Sequence, residues 1–235
     1  MLRVKNIEVY IGSLYILQKI SLELYEKETL FVIGSNGAGK TTLLKTIMGF
    51  YRPFSGSIEF RGLDITYLPP YERSKLGIRY APDNRRLFTS LSVEDNLMIP
   101  LLADGLPKNK ILDRIEYTYN LFPDLKRLRK LKASQLSGGQ QQMLNIGRAI
   151  ISPNTKILLL DEPVEGLSPL YVSKITNALY ELAKEGISMI IVETRPTLMK
   201  KLKGRCIVLN GGRVVFDGTV EDLVIKQDLI KIYFG

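Results

Sequence analysis

Glycine, lysine and threonine crowd into one short stretch, Gly34-Ser35-Asn36-Gly37-Ala38-Gly39-Lys40-Thr41-Thr42, directly after the apolar run Leu30-Phe31-Val32-Ile33. The spacing matches G-x-x-x-x-G-K-T in full, the pattern of a loop that cradles phosphates. Gly34, Gly37 and Gly39 allow backbone torsions that a Cβ would block. Successive N–H groups across the loop, Ser35, Asn36 and Ala38 included, can then converge on phosphate oxygens at the start of a helix. Lys40 suits the β and γ phosphates of a nucleoside triphosphate, and the Thr41 hydroxyl suits Mg²⁺.

An acidic pair follows far downstream. Lys156-Ile157-Leu158-Leu159-Leu160-Asp161-Glu162-Pro163 is a short apolar run closed by two carboxylates, the look of a strand buried in a parallel sheet. Ligands bind at the carboxyl ends of such strands. Asp161 suits a contact to Mg²⁺, and Glu162 suits a general base that orients or deprotonates an attacking water.

Between the two lies Leu136-Ser137-Gly138-Gly139-Gln140, opening a segment with Met143, Leu144, Ile146, Gly147 and Ile150 on one helical face. A serine cap followed by two glycines makes another anion-binding helix start. One nucleotide has no need of two such loops from one chain, so the second is expected to serve a nucleotide held by a neighbouring chain.

In this order, phosphate loop, L-S-G-G-Q and L-L-L-D-E-P, the motifs resemble the ATPase subunit of an ATP-binding cassette (ABC) transporter, and the resemblance spans essentially the whole chain. Within that superfamily G-S-N-G-A-G-K-T-T-L-L, A-P-D-N-R-R-L-F-T-S-L-S-V-E-D-N-L, Q-Q-Q-M-L-N-I-G-R-A and G-L-S-P are similar to the branched-chain amino-acid type importer ATPases. The resemblance implies an α/β fold: a P-loop NTPase core, an N-terminal antiparallel β subdomain and an inserted α-helical subdomain. It implies ATP and Mg²⁺ as ligands, with Gly34 to Thr42, Ser137, Gly138, Gly139 and Gln140 around the nucleotide. It also implies integral membrane permease subunits as partners, a substrate-binding protein reached only through them, and a place at the cytoplasmic face of the membrane.

The elements that must position these residues can be read from periodicity and breakers. Residues 1 to about 33 and about 56 to 66 read as strands, which the resemblance would make an antiparallel sheet over the nucleotide. A helix runs from Lys40 through Met48 and stops at Gly49. Gly77 to Tyr80 reads as a strand and Pro82 as the start of an irregular loop. From Val93 to about Ile151 the pattern is helical, with a cap at Ser92 and a break at Gly105-Leu106-Pro107. Strand 156–160, helix 170–184, strands 188–192 and 205–209, a hairpin at Asn210-Gly211-Gly212-Arg213 and a short final helix complete the core. The chain therefore divides as a single domain, with 1–82 and 152–235 as β subdomain and core, and 83–151 as loop and helical subdomain.

Composition fits that reading. The chain has 235 residues, 45% hydrophobic and 24% charged, ordinary for a globular domain able to bury a core. Apolar runs such as 187–192 fall far short of the roughly 18 to 20 residues that span a bilayer, and the Met1-Leu2-Arg3 start does not read as a signal peptide. There is no histidine, which excludes imidazole bases and ligands, and the lone Cys206 reads as a core residue. The net charge of +9 is densest at Lys126-Arg127-Leu128-Arg129-Lys130-Leu131-Lys132. Without interleaved aromatics this run reads as the solvated face of an amphipathic helix or an anionic-membrane contact, not as a nucleic-acid surface.

Against the common ABC pattern four positions differ. Asp83 stands where a glutamine usually contacts Mg²⁺ and senses the membrane partner; its carboxylate can still bind Mg²⁺ through oxygen, but it adds charge beside the γ phosphate. Thr194 stands where a histidine usually contacts that phosphate and can donate one weak hydrogen bond to it but no positive charge, Ser168 stands where an aspartate is common, and Ile11 where an aromatic stacks on adenine. Tyr10, adjacent to Ile11, is the expected base-stacking residue, although strand neighbours face opposite ways. These departures imply a heterodimer with a second, different ATPase subunit, a homodimer being the alternative. A chromosome-maintenance ATPase would need a long coiled coil where only about 95 residues separate the loop from L-S-G-G-Q, and a translation-type protein would carry two cassettes. A nucleotide-binding regulatory module with weak hydrolysis, an amide or urea importer and an exporter stay open as alternatives.

Overall fold

The computed structural model describes residues 1–193 and 196–225. Strands β1 (Leu2–Ile11) and β2 (Leu14–Leu24) form a hairpin, and β3 (Thr29–Ile33) leads into helix α1 (Lys40–Met48). Strands β4 (Ser55–Phe60) and β5 (Leu63–Asp64) precede α2 (Pro70–Leu76) and β6 (Ile78–Ala81). A helical stretch follows: α3 (Val93–Ala103), α4 (Lys108–Leu121), α5 (Pro123–Arg127) and α6 (Gly138–Ile150). The chain then alternates through β7 (Ile157–Asp161), α7 (Pro169–Lys184), β8 (Ser188–Val192) and α8 (Pro196–Leu202) to β9 (Arg205–Asn210), β10 (Arg213–Thr219) and α9 (Val220–Ile225).

Two sheets result. One is antiparallel, in the order β2-β1-β4-β5, and the other is six-stranded, in the order β10-β9-β3-β8-β7-β6, parallel except for the edge strand β10. The expectation that all strands up to residue 33 share the antiparallel sheet is corrected here: β3 lies at the middle of the parallel one. Its five residues are all buried, with no polar face for solvent, and that pattern suits a strand covered on both sides.

Period-two alternation in the central strands divides two cores. Phe31, Ile33, Leu158, Leu160, Met189 and Ile191 face the helices. Leu30, Val32, Leu159, Ile190 and Val192 face α1 and the antiparallel sheet. The carboxyl ends of β3, β7 and β8 thus meet at one rim between the two layers, where α/β sheets bind ligands.

The helix α2 escapes the sequence reading although Pro70 opens it and Gly77, at φ +105°, closes it. It carries Arg73, a fully buried guanidinium that donates to the carbonyls of Thr46, Ile47, Thr66 and Leu68. Those of Thr46 and Ile47 belong to the last turn of α1, where a cation suits both the free carbonyls and the helix dipole. Burial lowers the Arg73 pKa to about 10, leaving it charged at neutral pH.

The basic run at 126–132 is also corrected. Helix α5 ends at Arg127, and the following backbone turns to pair with the start of α3: Val93 N–H donates to Leu131 O at 2.9 Å and Glu94 N–H to Arg129 O at 3.1 Å. Free N–H groups at a helix start attract carbonyls more strongly than a marginal extra helical turn would. Arg129, Lys130 and Lys132 remain exposed. Cys206 is buried in β9 as expected.

Candidate functional site

The phosphate loop connects β3 to α1, and two of its glycines are imposed by close packing. At Gly34, φ +152°, a Cβ would lie 2.2 Å from the Leu209 carbonyl oxygen; at Gly39, φ +100°, it would lie 2.8 Å from Leu17 Cδ2. The loop is wedged between the end of β9 and the bulged strand β2. Ser35, Asn36 and Gly37 are exposed along its crest, whereas Ala38, Gly39 and Lys40 are buried. The Lys40 ammonium is drawn back under the crest, donating to Gly34 O at 2.8 Å and Ser35 O at 3.0 Å. A cation at the centre of exposed N–H groups, at the head of a helix, is an arrangement for a polyphosphate. Thr42, next along α1, is half-buried, and its carbonyl accepts from Thr46 Oγ1.

At the second residue of α1 the Thr41 hydroxyl donates to Asp161 Oδ1 at 3.0 Å, so the helix start and the end of β7 meet across 120 residues of sequence. The other Asp161 oxygen accepts from the Tyr80 hydroxyl at 2.9 Å. Asp161 is fully buried, and burial raises its carboxyl pKa despite these two donors. The donor set is hydroxyl and carboxylate oxygen, with no imidazole in the chain and the one thiol in β9, and this fits Mg²⁺.

Glu162 is half-buried and held at φ +51°, a left-handed torsion unusual for a residue with a side chain. Its N–H donates to Val192 O at 3.0 Å, which pins this kink to the end of β8. A hydrogen bond shared with the Glu165 carboxyl, with burial and the charges of Glu165 and Asp161, raises its pKa to about 7. A carboxylate poised near neutrality at a strained turn has the profile of a general base.

Ser137 caps α6 and Gln140 answers it: Ser137 Oγ accepts from Gln140 N–H and Gln140 Oε1 accepts from Ser137 N–H at 2.9 Å. Gln140 is thereby engaged within the cap. Ser137 and Gly138 are exposed, leaving the helix start open to another molecule. Gly139 has a packing reason, since a Cβ there would fall 2.3 Å from the Tyr171 ring.

Asp83 is exposed just past β6; burial above all raises the pKa values of Tyr80 and Asp161, and the Asp83 charge adds a smaller push in the same direction. Thr194 lies outside the described residues. Ser168 is exposed at the N-cap position of α7, where its side chain makes no capping hydrogen bond.

Tyr10, the expected base-stacking residue, is exposed at the end of the β1–β2 hairpin. Its ring stacks on Tyr15 at 4.6 Å and meets Phe54 edge-on at 5.5 Å. It lies on the Glu8 face of β1, while Val9 and its partner Leu17 turn to the other face and pack in the core that contains Ala38.

The sequence reading passed over three features. Tyr80 gave no signal because its partner lies on a neighbouring strand, whereas Glu165, three residues after Glu162, was open to inspection as a second acid in the same turn. The third is a groove of about 380 Å³ between the end of α1, β6 and helix α6. Lys45, Arg79, Arg85, Arg86 and Arg148 line it and, among the described residues, no carboxylate does. The Nε atoms of Arg79 and Arg148 are buried there with no hydrogen-bond partner among the described residues. The loop beside it is tied to α6, with Asn145 Nδ2 donating to Pro82 O at 2.8 Å and Arg148 to Arg86 O at 2.9 Å.

Comparison with known proteins agrees with this geometry. The ABC transporter family pattern matches residues 17–165. The chain is 36% identical to the high-affinity branched-chain amino acid transport ATP-binding protein BraG of Pseudomonas aeruginosa, over 100% of both chains. It is similar to an ABC transporter ATP-binding cassette solved in its ADP conformation, with a TM-score of 0.83 and 28% identity over 100% of this chain and 98% of that one. A bacterial ABC transporter cassette solved as a dimer matches with a TM-score of 0.84 and 26% identity, over 94% of this chain and 99% of that one. The chain belongs to the ABC transporter family and is one of its ATP-hydrolysing cassettes.

Proposed function

We propose that this cassette, with Mg·ATP, powers the import of branched-chain or related amino acids through integral membrane permease subunits at the cytoplasmic face of the membrane. The observation that supports this solute class is the end-to-end likeness to BraG. Among the described residues no helix is long and apolar enough to cross a membrane, so the pathway for the solute would belong to the partners. A substrate-binding protein would act on the permease and reach this chain only through it. In this reading residues 83–151 form the subdomain that carries the cap at Ser137, and 1–82 with 152–235 form the body that holds the nucleotide.

The chemistry follows from the side chains. Gly34 to Thr42 would hold the phosphates by backbone N–H groups, and Lys40 would turn from its two carbonyls to the β and γ phosphates. Thr41 and Asp161 would hold Mg²⁺, which supplies neutralising charge to the phosphate oxygens when bound. Glu162 would orient the attacking water and accept its proton, once Glu165 no longer shares one with it. Ser137, Gly138 and Gly139 of a second cassette would close over the same nucleotide, since their own helix start is open to solvent. That second cassette is best read as a different ATPase subunit, because Asp83 and Thr194 replace two phosphate-facing groups here and favour unequal sites.

The test is transport. Reconstituted in proteoliposomes with its permease, partner cassette and binding protein, the assembly is expected to accumulate radiolabelled leucine when ATP is supplied on the cassette side. Accumulation of urea in place of leucine, or solute movement in the opposite direction, would overturn the solute class or the direction.

A further inference from the structure

Tyr80 joins the metal carboxylate to the wall of the basic groove, although it touches no phosphate ligand. It stands near the end of β6, beside β7 in parallel register, with Tyr80 opposite Leu159 and Ala81 opposite Leu160. Its ring lines the groove and lies 5.9 Å from the Phe50 ring, tilted by 57°. Its hydroxyl reaches out of the groove to Asp161 Oδ2 at 2.9 Å.

The two donors on Asp161 differ in what a cation would do to them. Thr41 Oγ1 donates to Oδ1, and if Thr41 and Asp161 hold the cation that hydrogen would have to turn away on loading. Tyr80 holds the other oxygen and has no such conflict. It can keep its hydrogen bond in the loaded state, fixing the carboxylate plane while Oδ1 changes partner. Outer groups of this kind orient a metal ligand and typically change metal affinity 10- to 100-fold when removed, as a rough guide.

We propose that Tyr80 is a positioning residue for the divalent cation, acting through Asp161. This rests on the reading of Asp161 as the metal carboxylate.

Tyr80→Phe keeps the ring, the groove wall and the Phe50 contact, and removes only the hydroxyl. Two affinities are to be measured on the full chain: ATP in the presence of EDTA, by fluorescence titration, and Mn²⁺ for the protein–ATP complex, by the electron paramagnetic resonance signal of free Mn²⁺. Metal-free ATP affinity is expected to stay within about two-fold of wild type while Mn²⁺ affinity falls about tenfold, with the half-saturating Mg²⁺ for hydrolysis rising in step. A merely structural hydroxyl would leave Mn²⁺ affinity unchanged or lower both affinities together, and either result overturns the proposal. Tyr80→Met, also without a hydroxyl, gives the same reading should the phenylalanine variant not fold. Asp161→Asn separates the two levels: unaltered Mn²⁺ affinity in that variant would overturn the metal reading on which the proposal rests.

Discussion

At the scale of single residues the site depends on two kinds of carboxylate. Asp161 is sealed in the core and satisfied by two hydroxyls, whereas Glu162 is half-buried, conformationally strained and shares a proton with Glu165. With a pKa of about 7, Glu162 holds its proton below neutrality and is a base only above it. Hydrolysis is therefore expected to rise through a limb centred near pH 7, and Glu165→Gln to move that limb to lower pH, read from kcat against pH. A limb unchanged in the variant would remove Glu165 from the account. The sign for stability is opposite: because the folded value lies above the ordinary carboxylate range, the contribution of this proton is present at acid pH and is lost as pH rises through about 7. Lys40, Thr41, Asp161 and Glu162 were legible because local spacing names them. Tyr80 was not, because its role arises from the parallel pairing of β6 with β7, on which a linear pattern is silent.

At the scale of elements the buried strands and the capped helices were legible, since apolar runs and Ser-x-x-Asp or Ser-x-x-Gln boxes carry their own boundaries. Short helices such as α2 escaped, as did the fate of the 126–132 run, because tertiary hydrogen bonds to the start of α3 outweigh a weak local helical preference. The groove between α1, β6 and α6 is an element-scale feature with a clear demand. Five cations line it; Arg79 is already paired with Asp104 at 2.8 Å, and the other four, Lys45, Arg85, Arg86 and Arg148, suit an acidic occupant. In the transport reading that occupant would be a cytoplasmic segment of the permease. Arg148→Glu is expected to reduce co-purification of the permease by about tenfold or more while ATP binding is retained. Unaltered co-purification would exclude the groove from that interface.

At the scale of the whole molecule, the two sheets and two cores bring the ends of β3, β7 and β8 to one rim and leave the start of α6 exposed. The fold class was legible because the motif order and the alternation of strands with helices match one architecture; which strand joins which sheet was not, as β3 demonstrates. The net charge of +9, read alone, suggests nucleic acid, yet part of it lines the groove and part is solvated near α5. The central claim is that the assembled molecule hydrolyses ATP with Glu162 as base. Its most direct test is single-turnover hydrolysis of γ-labelled ATP by the complex carrying Glu162→Gln in this chain and an inactivated base in its partner cassette. With wild-type Glu162 in this chain, the label is expected to be released as phosphate. In Glu162→Gln it is expected to stay bound as intact ATP, with hydrolysis slowed at least about 100-fold. Release of phosphate at the wild-type rate from the Glu162→Gln complex would contradict the account.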